Sequence, residues 1–320
     1  MIMTAGEFNS QFGKNVHEVF ANTSKLYEEG KTYFNKIAFT EDVRERTLKF
    51  SSFVESGYAS TVGELGLIPT VGALKGHTIT NSATDIKDRI VVSSEELYDR
   101  GDQTEMLRYV IERTVLGMKS CYNELERQVQ SFFNNATTTA IGPDGVPMIA
   151  NNHTFRAGGT TWSNLMTSTV VGEAMMKELE AYGGNFKDDR NIPYPLQFKV
   201  FHVKQGSDAA QELKKLLKIN LAGGYQYLAP QSFNGVNIYV GNGYVIHENP
   251  YLTNAKRVFA TVERDNVMYK NPLYVGMYKR FTASDSIYNT NNDSFEMTVV
   301  GRQHICLRNI PVGIVMFQLA

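Results

Sequence analysis

The chain has 320 residues, 42% of them hydrophobic and 20% charged, with a formal net charge of -1, a composition that can bury a sizeable core and excludes a disordered chain. Without a global positive field, wrapping nucleic acid and adhering to an anionic membrane are excluded as general modes of action. Cys121 and Cys306 are the only cysteines and form no CxxC pair, so both read as core residues in a reducing compartment.

Residues 1–45 read as an exposed arm. Phe8, Phe12, Val16, Val19 and Phe20 recur at helical spacing between polar residues, an amphipathic strip that needs a surface to lie on, in its own chain or in a neighbour. Between Ser51 and Arg100, glycines at 57, 63, 66, 72 and 76 punctuate β-branched residues. The pattern predicts a long two-stranded excursion with little core of its own, which needs support from elsewhere because an isolated hairpin is marginal in water; a loose surface loop is the alternative. From Gln103 to Phe133, Leu107, Ile111, Val115, Met118, Tyr122, Leu125, Val129 and Phe132 step by three and four, which keeps them on one helical face. Asp102 and Glu105 have capping-box spacing. Such a helix is about 45 Å long, a rigid spine.

The stretch "NNATTTAIGPDGVPMIANNHTFRAGG", residues 134–159, follows the helix. Gly142 to Gly145 is turn chemistry: proline fixes φ, aspartate bonds its own backbone and glycine accepts positive φ. His153 invites a catalytic reading, but a loop histidine bonding backbone groups at a joint fits the setting better. A second helix is expected from Ser163 as N-cap to Gly183-Gly184, with Leu165, Val171, Met175 and Leu179 facing inward. Asp188-Asp189, beside Arg190, read as a solvated loop. Next come a strand over Leu196–Val203, a helix capped by Ser207 or Asp208 that carries Leu213, Leu216 and Leu217, and a hairpin turning at Gly241–Gly243. The remainder alternates at Phe295, Met297 and Val299 and ends in the apolar run "IPVGIVMF". That tail is about half the length of a membrane-spanning helix, and the N-terminus lacks a signal-peptide pattern.

No known chemistry finds its motif. There is no GxxxxGK[ST], and "GNGYVI" lacks the third glycine and the strand-to-helix setting of a dinucleotide site. The histidines at 17, 77, 153, 202, 247 and 304 form neither HExxH nor an i, i+4 pair, and no GxSxG is present. His202, within an apolar strand, reads as a satisfied core or interface histidine. No catalytic residue, cofactor or metal site is expected.

An arm, a glycine-rich hairpin, a spine helix, a central α/β unit and returning strands, in that order, resemble the HK97-like major capsid fold, of α+β class. More locally, "FFNNATTTAIGPDGVPMIANNHTFRAGGTTWSNLM" is similar to the segment after the spine helix in Mu-like, gpT-type major head subunits of tailed phages. The matching positions are Phe132 to Asn135, Gly142 to Gly145, His153 and Asn164-Leu165. The resemblance implies an N-terminal arm over 1–50 and an extended β-hairpin, the E-loop, over 51–100. It implies a peripheral domain over 101–163 and 263–307 with its spine at 103–133, and an axial domain over 164–262 and 308–320. It implies a non-enzymatic subunit that self-assembles as hexamers and pentamers into an icosahedral head around double-stranded DNA, in the host cytoplasm, with no sequence-specific DNA binding and no membrane. Phe8, Phe12, Val16 and Phe20 on the arm and Glu64, Leu67 and Lys75 on the loop become candidate contacts between copies. A portal protein and separate scaffolding and decoration proteins are implied partners; no long charged segment precedes the arm, so scaffolding is expected from another chain. Lys75 and Lys87 have no identifiable asparagine partner, and covalent cross-linking is not expected. Two other readings stay open: an encapsulin-like compartment shell, and a soluble enzyme with a site near His153.

Overall fold

The computed structural model describes residues 33–54, 74–98, 103–218, 239, 243–262, 271–284 and 287–320. The chain is of mixed α+β class and divides into two compact units, residues 1–48, 81–129 and 275–305, and residues 49–80, 130–274 and 306–320. In chain order, the first elements are helix α1 (Phe34–Ile37) and strands β1 (Phe39–Asp42), β2 (Thr47–Val54), β3 (Leu74–Ser82) and β4 (Thr84–Ser93). Helices α2 (Ser94–Tyr98) and α3 (Gln103–Asn134) follow, then short strands β5 (His153–Thr154), β6 (Thr161–Trp162) and β7 (Leu165–Met166). Helix α4 (Glu173–Asn185), β8 (Phe198–Lys204), α5 (Asp208–Lys218), β9 (Val245–Asn249) and β10 (Arg257–Val262) come next. The chain closes with β11 (Leu273–Ala283), β12 (Ile287–Asn289), β13 (Ser294–Leu307) and β14 (Ile314–Gln318).

In the first unit β13 is the organising strand. It runs antiparallel to β4 from Ser294↔Ser93 to Gln303↔Thr84 and also pairs with β11 and β12; β11 in turn pairs with β1. The alternation read in the sequence holds: Met297 and Val299 are buried, opposite the face that carries Arg302, Thr298 and Glu296. On β4 the buried residues are Ile86, Ile90 and Val92. The other face carries a charge ladder in which Arg302 and Lys87 meet Asp85 and Arg89 meets Glu296. Helix α3 buries Val110, Met118, Cys121, Tyr122 and Leu125 in this unit, and Tyr122 meets Phe281 edge to face at 4.8 Å. Gly117 permits the close approach of helix to sheet, because a Cβ there would lie 2.7 Å from Ile90.

Two expectations for the N-terminal third change. The stretch ending the expected arm is partly rooted in the fold: Phe34, Ile37 and Ala38 are buried and β1 joins a core sheet, while Glu41, Asp42, Arg44 and Glu45 are exposed. The excursion is also shorter than 51–100. β2 and β3 do form a two-stranded sheet, but β4 carries its own apolar face into the five-stranded sheet, where Ile86, Ile90 and Val92 are covered. Phe8, Phe12, Val16, Phe20, Glu64, Leu67 and the expected cap Asp102 lie outside the described residues.

The second unit is built on a mixed sheet in the order β7-β14-β10-β8-β9. β14 lies between parallel β7 and antiparallel β10, and β8 between antiparallel β10 and parallel β9. The C-terminal apolar run is therefore an interior strand, with Val315, Met316 and Phe317 buried. Helix α5 has the predicted start: Ala210 N–H donates to Ser207 Oγ at 3.2 Å, and Leu213, Leu216 and Leu217 are buried. The second helix starts later than predicted. Leu165 and Met166 pair with Met316 and Phe317 as a strand, Leu165 is 40% exposed, and helix starts at Glu173. It also runs through Gly183-Gly184 to Asn185. Of the hairpin expected around 241–243, the second arm is β9, paired parallel with β8; the first arm falls outside the described residues.

Candidate functional site

Residues 134–166 form a tightly bonded joint. Helix α3 ends in turns in which Asn135, Ala136 and Thr138 donate to preceding carbonyls, and Ile149 N–H returns to Ala136 O at 2.8 Å. The Gly142–Gly145 turn closes as the sequence implies: Gly145 has φ 78°, Gly145 N–H donates to Gly142 O and Gly142 N–H to Val146 O. The Asp144 carboxylate is used twice, Oδ1 accepting from Val146 N–H at 3.3 Å and Oδ2 meeting His153 Nδ1 at 2.6 Å.

His153 is fully buried and stacks on Trp162 at 4.7 Å. Its partner is thus a carboxylate and an aromatic face, not the backbone groups expected from the sequence. A histidine with its ring nitrogen on a carboxylate has the second half of a catalytic triad. What is missing here is access: neither His153 nor the Asp144 side chain has exposed surface, so no substrate atom reaches the imidazole. The pair braces the turn against the β5-β6 hairpin, where His153 and Trp162 are direct cross-strand partners.

Two neighbouring features were not read from the sequence. Asn164, expected near the start of a helix, is a buried hub. Its Oδ1 accepts from Ala150 N–H at 2.9 Å and its Nδ2 donates to Met148 O at 2.8 Å and Ile314 O at 3.0 Å. Its backbone oxygen accepts from Met316 N–H. The amide thereby joins the end of the joint to the interior strand β14. Asp188 and Asp189 are likewise structural and not solvated. Asp188 Oδ1 accepts from Arg190 and Ile192 N–H groups. The Asp189 side chain is 1% exposed and accepts from Arg156 Nε at 2.5 Å and Thr160 N–H at 2.6 Å. The Thr160 and Arg156 bonds hold the Asp189 carboxyl below the usual carboxylate range. Together they line an open cleft of roughly 690 Å³ with Trp162, Tyr182 and Phe186. In sequence the pair stands between Lys187 and Arg190, a charged run of a kind too common on surfaces to have signalled this.

Other candidate chemistry is closed off in the same way. Burial pushes the Cys121 thiol, aided by the negative charge of Asp88, and the Cys306 thiol up to about 12, so neither is a thiolate near neutral pH. His202 is buried, bonded to Thr261 Oγ1 at 3.2 Å and close to His247, as a core histidine should be. Among the described residues no group of three or more metal-ligating side chains comes together, and no helix is long and apolar enough to cross a membrane. Lys75, the described member of the expected contact set, sits exposed on β3.

No family model matches the chain, and no curated protein is similar to it. Solved structures do share its fold. A chain from Microbacterium phage Oxtober96 aligns with TM-score 0.52 at 13% identity, over 91% of this chain and 92% of that one. A chain from Mycobacterium phage Patience gives 0.52 at 12% over 99% and 89%, and the capsid of an empty GTA particle gives 0.50 at 13% over 91% of each. Over nine tenths or more of its length, the chain shares the fold of these chains.

Proposed function

We propose that the protein is a major capsid subunit of HK97-like type, closest to Mu-like head subunits, that closes into an icosahedral shell around phage double-stranded DNA. The observation that carries this reading is fold likeness over 91–99% of the chain to the capsid of an empty GTA particle and to phage chains. The buried state of His153 and Asp144 supports the non-enzymatic side of it, since the one residue that invited catalysis is a brace. In this reading residues 1–50 form an arm whose last part is rooted in the core, and the E-loop lies within 51–100, ahead of β4. The peripheral domain takes 101–163 and 263–307, and the axial domain 164–262 and 308–320. Phe8, Phe12, Val16, Phe20, Glu64, Leu67 and Lys75 contact neighbouring copies. Many modest contacts then multiply in a closed symmetric assembly, so no single interface has to be strong. A net charge of -1 limits repulsion between copies and avoids tight adhesion to the genome. Portal, scaffolding and decoration proteins complete the particle.

The test is negative-stain electron microscopy with light scattering on protein expressed alone and with the genes adjoining its own. Uniform shells, or rings of five and six, are expected, with nuclease-protected double-stranded DNA in particles from the native host. A monodisperse monomer or dimer under every condition would overturn the proposal, and shells filled with a protein cargo would replace the DNA container by a compartment.

A further inference from the structure

We infer that Asp88 guards the open edge of β4, an inward-pointing carboxylate that keeps the strand from pairing edge to edge with a second copy of the chain. β4 runs from Thr84 to Ser93 in unbroken register with β13, and among the described residues it pairs with no other strand. Ser94 N–H donates to Asp293 O at 2.8 Å, which fixes the phase of the ladder. Even-numbered residues of β4 turn their N–H and C=O groups to β13, while Asp85, Lys87, Arg89 and Val91 turn theirs away. All four are exposed. A long straight edge of this kind is a template for another chain, and folded proteins blunt it with surface charge, a proline, a bulge or a charge on the inward face. β4 has neither proline nor bulge. Its inward row reads Ile86, Asp88, Ile90, Val92, and the three apolar members are buried. Asp88 breaks the row. It stands under α3: Asp88 Oδ2 lies 3.8 Å from where a Cβ on Gly117 would be, and its charge adds to burial in raising the Cys121 thiol. Packing against the helix gains nothing from a carboxylate there. Oδ1 instead reaches outward and accepts the Arg89 N–H at 2.8 Å, so it occupies the central donor of the open edge. The charges on the other face are spent within the sheet, where Lys87 and Arg302 meet Asp85 and Arg89 meets Glu296. Asp88 forms no such pair among the described residues, and an incoming strand would have to displace its bond and cover its charge. The inference stands on this geometry and does not need the capsid reading.

Amide hydrogen exchange and light scattering test it on three chains: wild type, Asp88→Val, and Asp88→Val combined with Val91→Pro. In dispersed wild-type subunits the Lys87 and Val91 amides should exchange fast while those of Ile86 and Ile90 stay protected. Protection of Lys87 and Val91 there would mean an edge already covered, and would overturn the inference. Asp88→Val completes the apolar row, so its urea midpoint should hold or rise, and the concentration at which subunits associate should fall about tenfold or more. In the associated variant the Lys87 and Val91 amides should become protected. Val91→Pro removes an outward N–H and leaves the β13 ladder whole, so the double variant should stay folded and associate no more readily than wild type. Association of Asp88→Val no stronger than that of wild type, or undiminished by Val91→Pro, would overturn the guard role. Loss of the urea transition in Asp88→Val would overturn it too, by making Asp88 a structural need of α3 packing. Shell formation by wild type bears on the capsid reading alone.

Discussion

Asn164 shows how one side chain can hold three distant stretches together. Asn164→Ala leaves Ala150 N–H and the Met148 and Ile314 oxygens short of a buried partner, and should lower stability by about 3 kcal/mol. Asn164→Asp should not restore it, because a carboxylate would face carbonyl oxygens in place of a donor. A urea midpoint that moves no more than a surface substitution would remove Asn164 from this role. His202 makes a pH prediction. Burial, and secondarily the charge of His247, push its imidazole down to about 3 from the ordinary 6.5. The folded state thus favours neutral imidazole: its contribution is complete above about pH 6.5 and falls by about 1.4 kcal/mol per unit as pH drops below 6.5 towards 3. Between pH 6.5 and 5 the wild type should lose about 2 kcal/mol more than His202→Gln, read as the difference of the two urea curves. Parallel curves would mean that the unfolding unit does not include His202.

Helix α4 shows the same logic at the level of an element. Two adjacent glycines look like a stop signal, yet the helix passes through both. The reason is packing on one of them: a Cβ on Gly183 would lie 2.2 Å from the backbone oxygen of Leu196, which cannot swing away, whereas a Cβ on Gly184 meets nothing within 4 Å. Leu196 N–H donates to Gly183 O at 3.0 Å across the same contact. Gly183→Ala should therefore destabilise by about 1–3 kcal/mol, while Gly184→Ala should be neutral or stabilise by up to about 1 kcal/mol through helix propensity. Thermal denaturation of the two variants side by side checks this; equal shifts would count against the close approach. Helix α3 makes the complementary point, since its inward stripe includes buried Glu126 and Gln130 as well as apolar residues. Gln130 is satisfied by Asn249 Nδ2 at 2.7 Å, so the stripe is chosen by available partners as much as by hydrophobicity.

For the whole molecule, the proposal turns on what the termini and loops do between copies. Deleting residues 1–20 should leave the described units folded, since their described core residues, Phe34 the first of them, are all retained, and should impair or abolish shell formation. The comparison is circular dichroism and electron microscopy of the truncated and full chains. Unchanged shells would sink the arm role, and loss of the folded signal would place the strip of Phe8, Phe12, Val16 and Phe20 in the chain's own core.

Local pattern alone settled a good deal. The three-and-four spacing from Leu107 onward specified a long helix, alternation around Met297 specified β13, Ser207 specified the start of α5, and the Gly142–Gly145 turn was legible because its residues bond to each other. The absence of nucleotide, zinc and nucleophile-elbow motifs was legible for the same reason, as those chemistries need fixed short spacings. Partners far along the chain were not legible. Asp144 for His153, Arg156 for Asp189 and β14 for Leu165-Met166 are joined only when the fold brings them together. Each decided the fate of a polar or ambiguous stretch: a catalytic candidate became a brace, a solvated pair became a buried staple, and a predicted helix start became a strand. Periodicity reports which face of an element is apolar, whereas the cost of burying a polar group depends on what stands opposite it, and only tertiary structure supplies that.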